Sequence, residues 1–462
     1  MSDKERTSNS IIRFFKFINL AVITWIFFHV WSISYSKAIA SAFYIKGELF
    51  VAALFAFLYL NLIRAYDGFQ VPISRISELV YSQALAILIS NIAMYVVTFL
   101  LNKGFPKVLP FVGIMVLQLL FALIWCVLIK RWYYRTHSAK HSILIYDYPT
   151  NLDLYLKEGT ESRVFSIDRK INVSEYYDDP AMIETYDTVF MAGVSSHDRN
   201  IVLKHCVDRN IPVYLVPRIG DVLMYSSREV HMLHLPIMAI NGYSPTWEYL
   251  TMKRLIDIVM SLFLIILLSP VFLITAAVIR SYDGGPVLYK QTRLTQNGKR
   301  FSMIKFRSMV ENAEDRSGAV LSSGESDDRI TRPGRVIRRF RIDELPQLFN
   351  ILKGDMTIVG PRPERPEIAE EYEKILPEFR LRLKAKAGLT GYAQVYGKYN
   401  TTPYDKLQMD LLYLSHPNIV QDIRIIFATV KTILKHDSTE GVETGQTTAM
   451  PSGRSDTGED LK

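Results

Sequence analysis

Apolar positions crowd into the first 130 residues and form four long runs, Ile11–Ser32, Leu49–Ile63, Leu79–Leu101 and Val108–Ile129. A helix needs about 20 residues to cross the hydrocarbon of a bilayer. The second run reaches that length only if Phe43–Ile45 extend it. Trp25, Trp31, Tyr35, Tyr44, Tyr66 and Trp132 lie near the run ends and resemble interfacial anchors. Lys4, Arg6, Arg13 and Lys16 mark the start of the first run, and Lys130, Arg131, Arg135 and Lys140 follow the fourth. Cytoplasmic flanks are enriched in such cations. Both ends, and the connection holding Arg64 and Arg75, are therefore expected in the cytoplasm. No Asp, Glu or Lys of the kind that marks a transport path is expected inside this bundle, so a plain anchor accounts for it.

From His141 the pattern changes to short β-branched and aromatic runs, Ser142–Tyr146, Val164–Ile167, Thr188–Met191 and Val213–Val216. Polar helical stretches such as Asp198–Asp208 separate them. Strands alternating with helices predict a βαβ unit with a parallel sheet. A dinucleotide domain would place G-x-G-x-x-G after the first strand. Asp147-Tyr-Pro149 stands there instead, so a structural or regulatory module is preferred over a nucleotide binder.

A second apolar element, Leu255–Ile279, opens after Lys253-Arg254 and closes at Arg280. Ser269-Pro270 sits in its middle and Asp257 near its start. Proline removes a backbone hydrogen bond and clashes one turn back, so the helix must bend. A re-entrant hairpin with both ends cytoplasmic, or a fifth, kinked span, both fit these residues.

Beyond it, Val287–Leu294 and Phe301–Met309 flank Asn297-Gly298, the pattern of a β-hairpin. Ser322–Arg329 reads as a loop. Helical spacing returns at Arg335 and continues through Ile342, Leu345, Phe349 and Leu352. Ile368, Tyr372, Ile375, Phe379 and Leu383 mark one helical face, interrupted at Pro377. Ile423, Ile426, Phe427, Val430 and Ile433 mark a last amphipathic helix. Residues 437–462 are rich in Ser, Thr, Gly and Asp and are expected to be disordered.

The net charge of +8 is compatible with nucleic acid, an acidic membrane face or phosphorylated substrates. Cys126 and Cys206 offer neither a disulfide framework nor zinc spacing. The first run lacks the small-residue cleavage site of a signal peptide.

The candidate chemistry centres on Arg332 to Asn350, where five arginines (Arg332, Arg335, Arg338, Arg339 and Arg341) precede Asp343-Glu344. Arg binds phosphate through a planar two-pronged donor set. Adjacent carboxylates on a helix point about 100° apart, so they suit two separate roles rather than one shared proton. A helix start of Asp-Glu-x-Pro type is the structural alternative. Gly360-Pro-Arg362-Pro-Glu364 holds an arginine on a stiff backbone, and Lys305 and Arg307 put two cations on one strand face. The glycines of Gly388–Gly397 fit a turn better than a phosphate cradle.

Lys253-Arg-Leu-Ile-Asp257, Ser269-Pro270, Lys305-Phe-Arg-Ser-Met309, Asp343-Glu-Leu-Pro-Gln347, Lys353–Pro363 and Gly388–Val395 occur in order over Thr251–Lys435. This run resembles the bacterial sugar transferases, the monotopic phosphoglycosyl transferases. With the four spans and the βαβ unit ahead of it, the chain is similar to their large polyprenyl-phosphate hexose-1-phosphate transferase branch. The resemblance implies a fold class: a membrane protein with a four-helix transmembrane bundle over 1–140 and a small Rossmann-like α/β module over 141–240 without a dinucleotide fingerprint. A mostly α catalytic domain would follow over 241–436, with a re-entrant hairpin at 254–280 and a short β-hairpin, and then the tail 437–462. It tips the choice at Ser269-Pro270 towards the re-entrant hairpin.

It also implies a reaction: transfer of a hexose-1-phosphate, glucose or galactose, from a UDP-sugar to undecaprenyl phosphate in the initiating step of exopolysaccharide, capsule or O-antigen synthesis. Asp343 would attack the β-phosphorus to form a phosphosugar intermediate and release UMP, and Glu344 would position or deprotonate the lipid phosphate. Mg2+, with Asp343 as its protein ligand, would neutralise the diphosphate. Arg362, Arg338, Arg307 and Lys305 would bind phosphate. The partners implied are the UDP-sugar, undecaprenyl phosphate and the lipid bilayer of the bacterial inner membrane, with the catalytic part on the cytoplasmic face. A homodimer is compatible with it, and no nucleic acid is expected. Many relatives read Gly-Arg-Asn where Gly397-Lys398-Tyr399-Asn400 stands, which separates this loop from the shared pattern. The rival readings are a membrane regulator without activity, opposed by the intact Asp343-Glu344 pair, and a polysaccharide transporter, opposed by the few spans.

Overall fold

The computed structural model describes residues 3–36, 45–102, 104–147, 163–232, 235–240, 242–310, 329–397 and 402–433. The loop at 322–328, the tail at 437–462 and the departure at 398–400 lie outside them. The chain forms two compact units, Met1–Val216 and Pro217–Lys462.

The first unit begins with α1 (Asp3–Ser34), α2 (Ile45–Ala65), α3 (Ile76–Leu101) and α4 (Val108–Thr136). All four are long and apolar enough to cross a membrane. They occupy the four predicted runs, the pattern of a membrane protein. Polar side chains tie the helices together inside. The Tyr59 hydroxyl donates to Gln83 Oε1 at 2.6 Å. Asn91 Nδ2 donates to Gln118 Oε1 at 2.7 Å, and Gln118 Nε2 donates to the Ile23 carbonyl at 3.0 Å. Such bonds contribute only about 0.6–2 kcal/mol each within a bilayer, because the unpacked helices also find partners for these groups.

Two expectations change here. Lys130 is buried, where no buried lysine was expected, and its ammonium donates to the Val71 and Pro72 carbonyls at 2.6 and 3.0 Å. Trp31, Tyr35 and Tyr66 face inward rather than acting as lipid-facing anchors. The Trp31 indole donates to Thr98 Oγ1 at 3.0 Å, so its polar edge is satisfied within the bundle.

After the helices come β1 (Lys140–Tyr146), β2 (Phe165–Asn172), α5 (Val173–Asp178), β3 (Thr188–Ala192), α6 (Ser196–Asp208) and β4 (Val213–Leu215). The strands form one sheet in the order β2-β1-β3-β4, every pair parallel. Ile143, Ile145, Val189 and Met191 on one face pack with Val202 and Cys206 of α6. The Ser195 hydroxyl accepts from the Asp198 amide and starts that helix.

The second unit opens with α7 (Ile219–Tyr225) and an antiparallel pair, β5 (Arg228–Met232) and β6 (Leu235–Ala239). Then come α8 (Trp247–Leu267) and α9 (Ser269–Asp283), which meet at a 61° bend. The break falls at Ser269-Pro270 as predicted, and the Ser269 hydroxyl donates to the Ile266 carbonyl freed there at 2.8 Å. β7 (Leu288–Leu294) and β8 (Arg300–Phe306) pair antiparallel. Asn297 and Gly298 between them have φ of 57° and 73°, the left-handed turn that Asn-Gly favours.

The unit continues through α10 (Arg332–Arg339), α11 (Gln347–Lys353), β9 (Thr357–Val359), α12 (Pro366–Ile375), β10 (Gly388–Thr390), α13 (Tyr392–Tyr396), α14 (Pro403–Ser415) and α15 (Ile419–Ile433). Leu348, Ile351, Ile358, Tyr372, Phe379, Leu407, Leu411 and Ile425 belong to its core. Two predicted faces are rotated, and a third, on α12, holds except at its end. On α11, Leu348 and Ile351 are buried while Phe349 is exposed. On α15, Ile425 and Ala428 are buried while Ile423 and Val430 are exposed. On α12, Ile368 and Tyr372 are buried but Ile375, at the last residue, is exposed. α11 and α15 are apolar on more than one side, so spacing alone does not choose the side that packs.

The polar start of α8 holds this unit together. The Arg254 guanidinium donates to the Ile351 and Leu352 carbonyls at 2.6 and 2.7 Å, capping α11. Asp257 accepts from the Ile358 amide at 2.9 Å and Thr357 Oγ1 at 2.8 Å, fixing β9. Lys253 pairs with Asp422 of α15 at 2.8 Å.

Candidate active site

Asp343 and Glu344 lie in a single 3-10 turn, Ile342–Glu344, and not in the first turn of a helix. Pro346 caps α11, which begins one residue later. Arg341, just before the turn, has φ of 56°. A non-glycine residue there is strained, and its neighbours must hold it. The turn is anchored from behind by α11. Asn350 Nδ2 donates to the Ser302 carbonyl at 2.8 Å, and its Oδ1 accepts from the Ile304 amide at 3.0 Å. This fixes the carboxylates beside β8 and places Lys305 in the same cleft as Glu344, together with Arg293, Gln347, Arg362 and Pro363.

Arg362 reaches the cleft from the other side. Its Nη2 donates to Glu344 Oε1 at 3.1 Å and its Nη1 to Gln394 Oε1 at 2.9 Å. Arg341 Nη1 lies 3.6 Å from the same Glu344 oxygen. The glycines 360, 388 and 391 make this approach possible. A Cβ on Gly388 would meet the Gly360 amide at 2.2 Å, and one on Gly391 the Gly360 carbonyl at 2.2 Å. They bring two backbones together and do not cradle a ligand.

The electrostatics separate the two carboxylates. Burial, and then the Glu344 charge, push Asp343 up to about 6 against the pull of Lys305, Arg338 and Arg341. Burial also pushes on Glu344, but Arg362, Lys305 and Arg341 together outweigh it and hold it down at about 2. Burial brings Lys305 down to about 8, with both carboxylates opposing. Glu344 is thus engaged and ionised, whereas Asp343 accepts no hydrogen bond and forms no ion pair among the described residues.

Asp343, Glu344, Lys305, Arg338 and Arg362 therefore come together as the sequence suggests. Arg307 does not join them. β8 ends at Phe306, and the Arg307 guanidinium is buried against the Asp283 carboxylate at the end of α9. Ser269 and Pro270 form the helix break. Arg341 was one of the five arginines of the candidate stretch, whereas sequence reasoning missed Gln394 and Arg293. Gln394 stands within the Gly388–Val395 motif, but nothing in the spacing ties it to an arginine 32 residues earlier.

No group of three His, Cys, Asp or Glu side chains among the described residues is placed to hold a metal. Magnesium in diphosphate chemistry needs only one or two carboxylates plus substrate phosphates. The hydrogen-bond-free Asp343 fits that limited requirement.

A half-buried carboxylate pair of unequal basicity, with Lys305, Arg341 and Arg362 around it, suits an enzyme of phosphorylated substrates. The comparisons narrow it. Residues 248–436 match the model of the family described as bacterial sugar transferase. The chain is 41% identical over 189 residues to the exopolysaccharide production protein PSS of Rhizobium leguminosarum bv. phaseoli, covering 39% of this chain and 94% of that one. It is 36% identical over 235 residues to a UDP-N-acetylgalactosamine-undecaprenyl-phosphate N-acetylgalactosaminephosphotransferase of Aeromonas hydrophila, covering 50% of this chain and 54% of that one. It is 33% identical over 256 residues to a UDP-glucose:undecaprenyl-phosphate glucose-1-phosphate transferase of Klebsiella pneumoniae, covering 53% and 54%. The chain belongs to the bacterial sugar transferase family. It spans about half the length of the Aeromonas and Klebsiella relatives.

Proposed function

We propose that the protein transfers a hexose-1-phosphate from a UDP-sugar to undecaprenyl phosphate, beginning exopolysaccharide, capsule or O-antigen synthesis. The observation that carries this reading is the free Asp343 carboxylate beside an ionised Glu344, within a ring formed by Lys305, Arg338, Arg341 and Arg362. Such a ring suits a diphosphate, whose oxygens take donors from several directions.

Two steps balance the reaction. An Asp343 oxygen attacks the β-phosphorus, the bond to the bridging oxygen breaks, and UMP leaves with the electron pair. The sugar phosphate then sits on Asp343 as an acyl phosphate. An oxygen of undecaprenyl phosphate attacks the same phosphorus, and Asp343 leaves as a carboxylate. Splitting the transfer in two replaces one difficult step with two easier ones. A carboxylate held near 2 accepts protons poorly, so Glu344 serves by fixing Arg362 and orienting the acceptor rather than by deprotonating it. Magnesium, held by Asp343 and the substrate phosphates, would supply charge neutralisation.

The same reading treats α8 and α9 as a re-entrant hairpin at the cytoplasmic face of the inner membrane. The 61° bend and the cations Lys253, Arg254 and Arg280 at both ends support it. It treats the parallel sheet of the first unit as a Rossmann-like module without a dinucleotide site. The test is UMP release from a panel of UDP-sugars by membranes carrying the protein, with undecaprenyl phosphate added. Release that depends on one UDP-sugar is expected. No release with any of them would overturn the proposal.

A further inference from the structure

Behind the cleft lies an ion network that the transfer chemistry does not use. Arg382 is only 2% exposed. Its Nε and Nη2 bind Asp410 Oδ2 at 2.8 and 2.7 Å. The same Nη2 donates to the Arg362 carbonyl at 2.9 Å, and Nη1 donates to Glu364 Oε1 at 3.3 Å. Glu364 also has Lys406 at 3.6 Å and Arg293 at 4.0 Å.

Burying this many charges is not explained by stability. Replacing a buried ion group with apolar residues of similar volume is often neutral or stabilising, because desolvation consumes most of the attraction. What the network does hold is one short segment of main chain. Arg362 stands between Pro361 and Pro363, whose rings fix φ on either side of it. Arg382 takes the carbonyl of Arg362, and Arg293 Nη1 takes the next one, that of Pro363, at 3.1 Å. With two successive carbonyls pinned, the Arg362 side chain leaves in one direction, towards Glu344 and Gln394.

We infer that Arg382 is a positioning residue for the transfer, with Arg293 as its second: it holds the Arg362 backbone so that the Arg362 guanidinium faces the sugar-diphosphate. This rests on the transferase reading and deepens it. Lysine at 382 would keep the charge but lose the planar fork that serves three acceptors at once.

The test is a double-mutant cycle on the full chain, reading UMP release at varied UDP-sugar together with the thermal midpoint. Arg382→Lys should lower kcat/KM roughly 10- to 100-fold, the scale on which a misplaced contact acts. In an Arg362→Ala background the same change should cost less than about twofold, because the group being positioned is already gone. An equal loss in both backgrounds, or no loss in either, overturns the role. If Arg382→Lys yields no folded protein, the half-buried Arg293→Lys takes its place in the cycle. Failure of both to fold assigns the network to stability alone and overturns the inference. Wild-type protein that releases no UMP would sink the transferase reading instead. Binding of UDP to the full chain then runs the same cycle without turnover, and equal affinity losses in both backgrounds would still refute the positioning role.

Discussion

At the scale of residues, two neighbouring carboxylates differ because their surroundings differ. Burial and the Glu344 charge push Asp343 up to about 6, and on the proposed mechanism it must be ionised to attack phosphorus. Burial brings Lys305 down to about 8, and on the same mechanism it must keep its proton to hold phosphate. The first chemical step should therefore rise as pH climbs through about 6 and fall as it climbs through about 8. The UMP burst without acceptor checks this, since undecaprenyl phosphate does not then contribute its own titration. A burst flat across that range would contradict both assignments. Because Glu344 fixes Arg362, Glu344→Gln should slow the burst as well as steady turnover, by roughly 10- to 100-fold, the scale on which a misplaced contact acts. An unchanged burst in that variant would contradict the tie between Glu344 and Arg362. Asp343, Glu344 and Arg362 were legible because each sits in a compact motif whose residue types match phosphate chemistry. Arg307 was misread because strand alternation gives a face but not the end of the strand. Arg382 was not legible at all: its partners Glu364 and Asp410 are 18 and 28 residues away, and only the fold joins them.

At the scale of elements, the break between α8 and α9 carries the topology. Proline at its first turn and the Ser269 bond to the Ile266 carbonyl make the bend a property of the sequence, and it was read there directly. The hairpin β7–β8 was equally legible, through the left-handed Asn297-Gly298 turn. The packed sides of α11 and α15 were not, since both helices also carry apolar residues that stay exposed. The re-entrant reading predicts the side on which Arg280 lies. Cys126 and Cys206 are both buried and can be replaced by alanine to clear the background. In that background Arg280→Cys should react with an impermeant thiol reagent only from the cytosolic side. Labelling from the periplasm would restore a fifth span.

At the scale of the whole molecule, the carboxylates, their cations and the bent helix pair all lie within Pro217–Lys462. A Rhizobium relative is matched over 94% of its length by a part of this chain no longer than 189 residues. Residues 217–462 alone, in detergent, should then release UMP from the UDP-sugar that the full chain uses. A folded but inactive fragment would give the first unit a direct part in the reaction. That unit's four long apolar helices and four strands were legible from apolar run length and alternation. Its interior was not: the Tyr59–Gln83 and Asn91–Gln118 bonds depend on how helices distant in sequence meet.

The central claim is that Asp343 carries the sugar phosphate between donor and acceptor. The most direct measurement incubates the protein with UDP-sugar and no acceptor, then maps labelled peptides by mass spectrometry. A hexose phosphate on the peptide holding Asp343, removed by adding undecaprenyl phosphate and absent from Asp343→Asn, is the predicted result. UMP release continuing in Asp343→Asn with no adduct on any carboxylate would contradict it.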